Sequence, residues 1–139
     1  MEILTIPFHS YLNIQKAEEP TGYIFKIEER PEYLNHLGTI HACVQLSLAE
    51  ATSGEFLLKE FDQLKSDVIP VVHRTEAKYH KPANGELFTK ADFLSTNRQA
   101  VLVELSLKKR TITQIKVEVY DSKKNISLSA IFDWFIIMK

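Results

Sequence analysis

Apolar and polar positions change period several times along this chain. From Tyr23 to Arg30, Tyr23, Phe25 and Ile27 fall on alternate positions, the two-residue period of a strand. Pro31 to Gly38 is polar and turn-rich and reads as a loop. From Ile40 to Phe61 the period lengthens. Val44, Leu48, Ala51, Phe56 and Leu57 recur at helical spacing, and Leu46, Ala49, Leu58 and Phe61 widen that face. This predicts one long helix, apolar around much of its girth and therefore buried, with Thr39 as its N-cap.

The rest of the chain returns to the shorter period. Val68 to Tyr79 is rich in β-forming residues, and Pro70 suits the start or edge of a strand. Pro82-Ala83-Asn84-Gly85 predicts a turn, and Glu86 to Phe93 the return strand. Val101 to Lys109 fits two periods. Val101, Val103, Leu105 and Leu107 alternate, yet Val101, Leu102 and Leu105 also suit a short helix capped by Asn97, and the helix is favoured. Thr113 to Tyr120 alternates around Ile115, Val117 and Val119. Asp121 to Asn125 predicts a hairpin turn, and Ile126 to Met138 a closing strand. The order is that of an α+β fold in which an antiparallel sheet wraps around one long central helix.

Composition narrows the function classes. A length of 139 residues suits a single domain spanning 1–139, large enough to bury a core without a metal or a disulfide. The formal net charge of -1 lacks the basic excess of a nucleic-acid-binding surface. Cys43 is the only cysteine, so no internal disulfide forms, which fits a reducing, cytoplasmic setting. The stretch MEILTIPFHSYL lacks the basic start of a signal peptide, and no run of about 18 apolar residues suggests a membrane span. His36 and His41 have no Cys/His cluster beside them and do not read as metal ligands.

Candidate chemistry concentrates in Asn35-His36-Leu37-Gly38-Thr39-Ile40-His41-Ala42-Cys43 and in Glu50. A loop runs there into a helix start, where unpaired backbone N–H groups and the positive dipole end could hold an oxyanion. Glu50 lies about two and a half helical turns beyond His41. Its neighbours Leu48, Ala49 and Ala51 suggest burial, which would raise its pKa and make it a candidate base or nucleophile. Plainer readings stand beside these. Glu50 could be a core-edge carboxylate paired with a base such as Arg74, and Asn35 could cap a turn. His36 could be an exposed loop residue, His41 a structural histidine, and Cys43 a small buried hydrophobe.

The pattern Asn-x-x-Gly-Thr-x-His-Ala, with an acidic residue nine positions after the histidine, resembles the hotdog-fold thioesterases of the PaaI type. The resemblance is strongest over Tyr33 to Gly54 and continues weakly through Tyr79-His80-Lys81-Pro82-Ala83. It implies hydrolysis of acyl-coenzyme A thioesters without a further cofactor. Asn35 would position the thioester or the attacking water, the Ala42 N–H would be the oxyanion donor, and Glu50 the base or nucleophile. Gly38 would allow close backbone approach, and His41 would shape the start of the helix. Thr39, His36 and Cys43 would lie along the bound substrate. The family commonly has His-Gly-Gly where this chain has His-Ala-Cys, and the strand position that carries Ser or Thr in some relatives aligns near Val72. The resemblance also implies a homodimer or a dimer of dimers, with each site shared between subunits. Two other functions fit the same fold: a dehydratase or hydratase pairing His36 with Glu50, fourteen residues apart, and a non-catalytic acyl-CoA-binding protein.

Overall fold

The computed structural model describes residues 2–139. A 3₁₀ turn at Ile3–Thr5 leads into a short helix α1 (Pro7–Tyr11), then strands β1 (Gln15–Lys16) and β2 (Phe25–Ile27). A second 3₁₀ turn at Pro31–Tyr33 precedes the long helix α2 (Ala42–Glu60). There follow β3 (Val68–Tyr79), β4 (Leu87–Phe93), helix α3 (Arg98–Lys108), β5 (Arg110–Tyr120) and β6 (Ile126–Met138). The six strands form one antiparallel sheet in the order β1-β2-β4-β5-β6-β3, curled around α2. This is the hotdog arrangement expected from the sequence. Among the described residues no helix is long and apolar enough to cross a membrane.

Pleat alternation explains how the sheet covers the helix. Along β5, Thr111, Thr113, Ile115, Val117 and Val119 point inward and are buried, while the residues between them face out. Their partners on β6 include Leu128, Ala130, Phe132, Trp134 and Ile136, all buried on the same face. Against this face α2 sets Leu48, Ala49, Ala51 and Thr52, each no more than 1% exposed. Three side-chain hydrogen bonds stitch helix to sheet inside the core. Ser127 donates to Gln45 Oε1 at 2.7 Å, the Thr52 and Thr89 hydroxyls meet at 2.7 Å, and Trp134 Nε1 donates to Ser53 Oγ at 3.0 Å. Pairing satisfies polar groups that would otherwise be costly to bury.

Several expected boundaries move. Thr39 is not the N-cap. Gly38 turns the chain at φ +74, Ile40 donates to the Ala83 carbonyl at 2.8 Å, and the helix begins only at Ala42, with His41 as its cap. The strand expected over Tyr23–Arg30 pairs in the sheet only at Phe25–Ile27, since beyond it Glu29 leaves to bond the turn at Asn84 and Gly85. The segment expected to be loop contains the 3₁₀ turn at Pro31–Tyr33. The segment favoured as a short helix is one: α3 covers Arg98–Lys108. Asn97 Oδ1 accepts the Ala100 N–H at 2.9 Å, and Lys109 closes the helix in the left-handed region at φ 62.

Leu48 sits at the centre of the helix–sheet contact and is fully buried. Leu48→Ala is expected to lower unfolding stability by about 2–5 kcal/mol, the range for truncating a buried leucine. Urea denaturation followed by circular dichroism checks it, and a loss under 1 kcal/mol would contradict a tightly packed α2.

Candidate active site

The loop before α2 is organised from within by Asn35. Its Oδ1 accepts the Leu37 N–H at 2.9 Å and the Thr39 N–H at 3.1 Å, while its Nδ2 donates to the Thr39 hydroxyl at 2.9 Å. Asn35 N–H donates to the Thr39 carbonyl at 2.8 Å. The turn-capping reading of Asn35 is therefore what the geometry displays. The loop is tied down from outside by Asn84, whose Nδ2 donates to the Gly38 carbonyl and to Glu29 Oε1, each at 3.0 Å. The Asn84 side chain and the Gly85 N–H hold the Glu29 carboxyl below its ordinary pKa. His36 stays exposed on this loop.

His41 caps α2: its Nδ1 accepts the Cys43 N–H at 3.0 Å. The His41 carbonyl accepts from Val44 at 3.0 Å and from Gln45 at 3.3 Å. The Ala42 N–H finds no acceptor among the described residues, and so it points out from the helix start with its bond unused. Tyr79, reaching over from the end of β3, donates its hydroxyl to the Ala42 carbonyl at 3.1 Å. Burial, and next the Cys43 thiol, push the Tyr79 pKa up, so the phenol stays a neutral donor.

Two expectations about side chains are corrected here. Cys43 is exposed rather than buried. Glu50 is likewise exposed in the chain, and among the described residues it makes no ion pair, with Arg74 or any other base. Its apolar sequence neighbours point to the core on either side of it, and Glu50 itself stands at the rim of a cavity. That cavity has a volume of about 380 Å³. Glu50, Gly54 and Leu57 of α2 form one wall, and Val72 of β3 and Trp134 of β6 another. The third wall comes from the N-terminal segment, as Ile3, Ile6 and His9. Gly54 allows this close packing: a Cβ there would lie 3.1 Å from Ile3 Cδ1, which would have to give by a few tenths of an ångström, and 3.6 Å from the Trp134 ring.

The loop residues and Glu50 do not meet within one chain. The eight residues from Ala42 to Glu50 span about 12 Å of helix at 1.5 Å per residue. One carbonyl cannot touch both groups of the same α2. The N-terminal segment is the part of the cavity that the sequence left unread. Ile3, Ile6 and His9 recur every third residue, the spacing of one helical face, but Pro7 breaks that pattern locally.

Comparison with known proteins follows the same lines. A family model described as a domain of unknown function, DUF4442, matches residues 7–136. No curated protein matches the chain by sequence. Among solved structures, a Pseudomonas aeruginosa protein of unknown function, given as a probable thioesterase, superposes with a TM-score of 0.83 at 16% identity, covering 99% of this chain and 91% of that one. A thioesterase from Haemophilus influenzae gives 0.73 at 15% identity, over 98% of this chain and 86% of the other. A Bacillus halodurans protein solved with CoA gives 0.70 at 15% identity, over 94% and 75%. At these identities the likeness is one of fold, the hotdog fold.

The cap at His41 can be separated from any chemistry. His41→Ala should cost about 1 kcal/mol of stability, the usual cost of removing an N-cap acceptor. His41→Asp, which supplies another acceptor, should restore most of it. Parallel urea titrations read the two, and equal stabilities for both variants would remove the capping role.

Proposed function

Since the chain belongs to the DUF4442 family and carries the hotdog fold, we propose that it hydrolyses acyl thioesters, with coenzyme A as the thiol carrier, in the manner of the PaaI-type enzymes it resembles. What supports this reading above all is the combination at α2 of an unused N–H at Ala42 and a carboxylate, Glu50, on the rim of an apolar cavity. A bound CoA in the Bacillus halodurans neighbour supports the choice of carrier.

In the proposed reaction the Glu50 carboxylate takes a proton from water as the water oxygen bonds to the thioester carbon. The carbonyl electrons move to oxygen, and the Ala42 N–H stabilises the oxyanion. Collapse re-forms the carbonyl and breaks the C–S bond. The electron pair leaves on sulfur, and the thiolate recovers the proton held by Glu50. The acyl chain lies in the cavity between α2, β3 and the N-terminal segment. The reaction needs no cofactor beyond the thioester.

Separation of Ala42 from Glu50 along α2 argues that each site is shared by two subunits. The strand β3 supports such a pairing, since it is twelve residues long and lies at the edge of the sheet. Its outer backbone groups are a template for another strand, and a two-fold pairing would cover them. The loop and Ala42 of one subunit would then face Glu50 of the other. A dimer is proposed on this ground, and a dimer of dimers is compatible with it.

The experiment is thiol release from a panel of acyl-CoAs. Wild type should release thiol, and Glu50→Gln should lose 10²- to 10⁴-fold in kcat, on the order expected for removing a general base. Unchanged release would remove Glu50 from the chemistry, and no release from any thioester would favour a binding protein. Ala42→Pro tests the donor. Proline is at home in the first position of a helix, and His41 already has the extended conformation that precedes proline, φ -56 and ψ 138. This variant should fold and lose roughly 10²- to 10³-fold, the cost of one oxyanion donor. Mixing the two inactive variants under subunit exchange should restore about a quarter of the wild-type sites if each site is shared across a two-fold dimer. Failure to restore any would place both groups in one subunit.

A further inference from the structure

His9 is a titratable side chain that the reaction above does not use, and it lies where few histidines would be left without purpose. It is 7% exposed and lines the cavity on the wall formed by the N-terminal segment. Its Nδ1 is 2.8 Å from the Ile3 carbonyl oxygen. A carbonyl can only accept, so Nδ1 must carry the hydrogen. In the neutral ring the lone pair is then on Nε2. Among the described residues Nε2 has no hydrogen-bond partner.

The other polar groups near the cavity are already committed or stand at its rim. The Trp134 N–H is spent on Ser53, and the Ser53 hydroxyl is spent on the Glu50 carbonyl. Glu50 is at the exposed rim. The remaining lining is aliphatic or aromatic, with Ile3, Ile6 and Leu57 nearest in kind to what a plain hydrocarbon chain would select. A lone acceptor in such a wall is costly if an alkyl chain displaces its water and offers nothing in return. It is satisfied by a ligand that brings a hydrogen-bond donor.

We propose that His9 makes this cavity selective for acyl groups that carry a hydroxyl, which donates its hydrogen to His9 Nε2. The proposal rests on the cavity being the acyl site, and it names the class of acyl group that fits there. A site built around one such bond rejects the analogue lacking it far more strongly than an apolar pocket rejects a missing methylene. The position of the hydroxyl is set by a fixed ring, since the Nδ1 bond holds the imidazole to the Ile3 carbonyl. Selectivity should therefore peak at one carbon of the acyl chain.

The test compares straight-chain acyl-CoAs with the same chains hydroxylated at successive carbons. Dissociation constants are measured by calorimetry on Glu50→Gln, so the answer does not depend on turnover, and kcat/KM is measured on the wild type. One hydroxyl position should bind about ten- to a hundredfold tighter than the plain chain. His9→Leu should abolish that preference and strengthen plain-chain binding. His9→Gln, which can present an acceptor at the place of Nε2, should keep part of it. A flat profile along the chain overturns the proposal without any variant, and so does a peak that survives in His9→Leu. Should His9→Leu fail to fold, the wild-type profile and its retention in His9→Gln decide the matter, with a peak lost in neither supporting and a flat one overturning. Selective binding without thiol release would sustain the role of His9 while removing the hydrolytic function, so the two failures are distinct.

Discussion

The rotation of α2 about its own axis governs everything the molecule presents to a ligand. Apolar burial alone would tolerate some rolling of a helix inside a curved sheet, because Leu, Ala and Val contacts are not directional. The hydrogen bonds that join Gln45, Thr52 and Ser53 with Ser127, Thr89 and Trp134 are directional, and each is buried. Turning the helix would break all three at once, leaving polar groups unpaired in a dry interior. With the helix held, Glu50 must stand at the cavity rim and Gly54 must lie under Trp134.

The same constraint acts at the helix start. Hydrogen bonds from Asn35, Asn84 and the Ile40 N–H hold the preceding loop rigid, and His41 then caps α2 with its own ring. Because the cap satisfies the Cys43 N–H, the neighbouring Ala42 N–H is left as the one directed outward. A preorganised donor of this kind costs no reorganisation when charge develops against it. The short N-terminal segment completes the design by closing the cavity from the side the sheet leaves open. Ile3 touches the helix at Gly54, and His9 reaches the same space from α1.

Much of this was legible in the order of residues. Val68–Tyr79 and Ile126–Met138 are strands over the ranges their composition and alternation indicate; Ile126–Met138 alternates with one face on the core, while Val68–Tyr79 is mostly exposed beyond Val68 and pairs with it along its length. The central helix and the Asn97 cap of α3 were legible for the same reason: local periodicity and local side-chain chemistry decide them. The candidate residues Asn35, Gly38, His41, Ala42 and Glu50 were legible as a motif, since loop and helix are continuous in sequence.

What only the tertiary structure decided is how those residues are exposed and what they face. Flanking residues suggested that Glu50 and Cys43 would be buried, yet both are exposed, because burial depends on which arc of α2 the distant strands β5 and β6 cover. Thr39 lost the cap to His41 because Ala83, more than forty positions away, binds the Ile40 N–H and keeps the chain extended. His9 carries no signal in its own neighbourhood, since the cavity it enters is made by α2, β3 and β6. Periodicity and caps are properties of a few adjacent residues and can be read directly; exposure, cavity walls and the pairing of remote donors with acceptors are sums over contacts that exist only once the chain has folded.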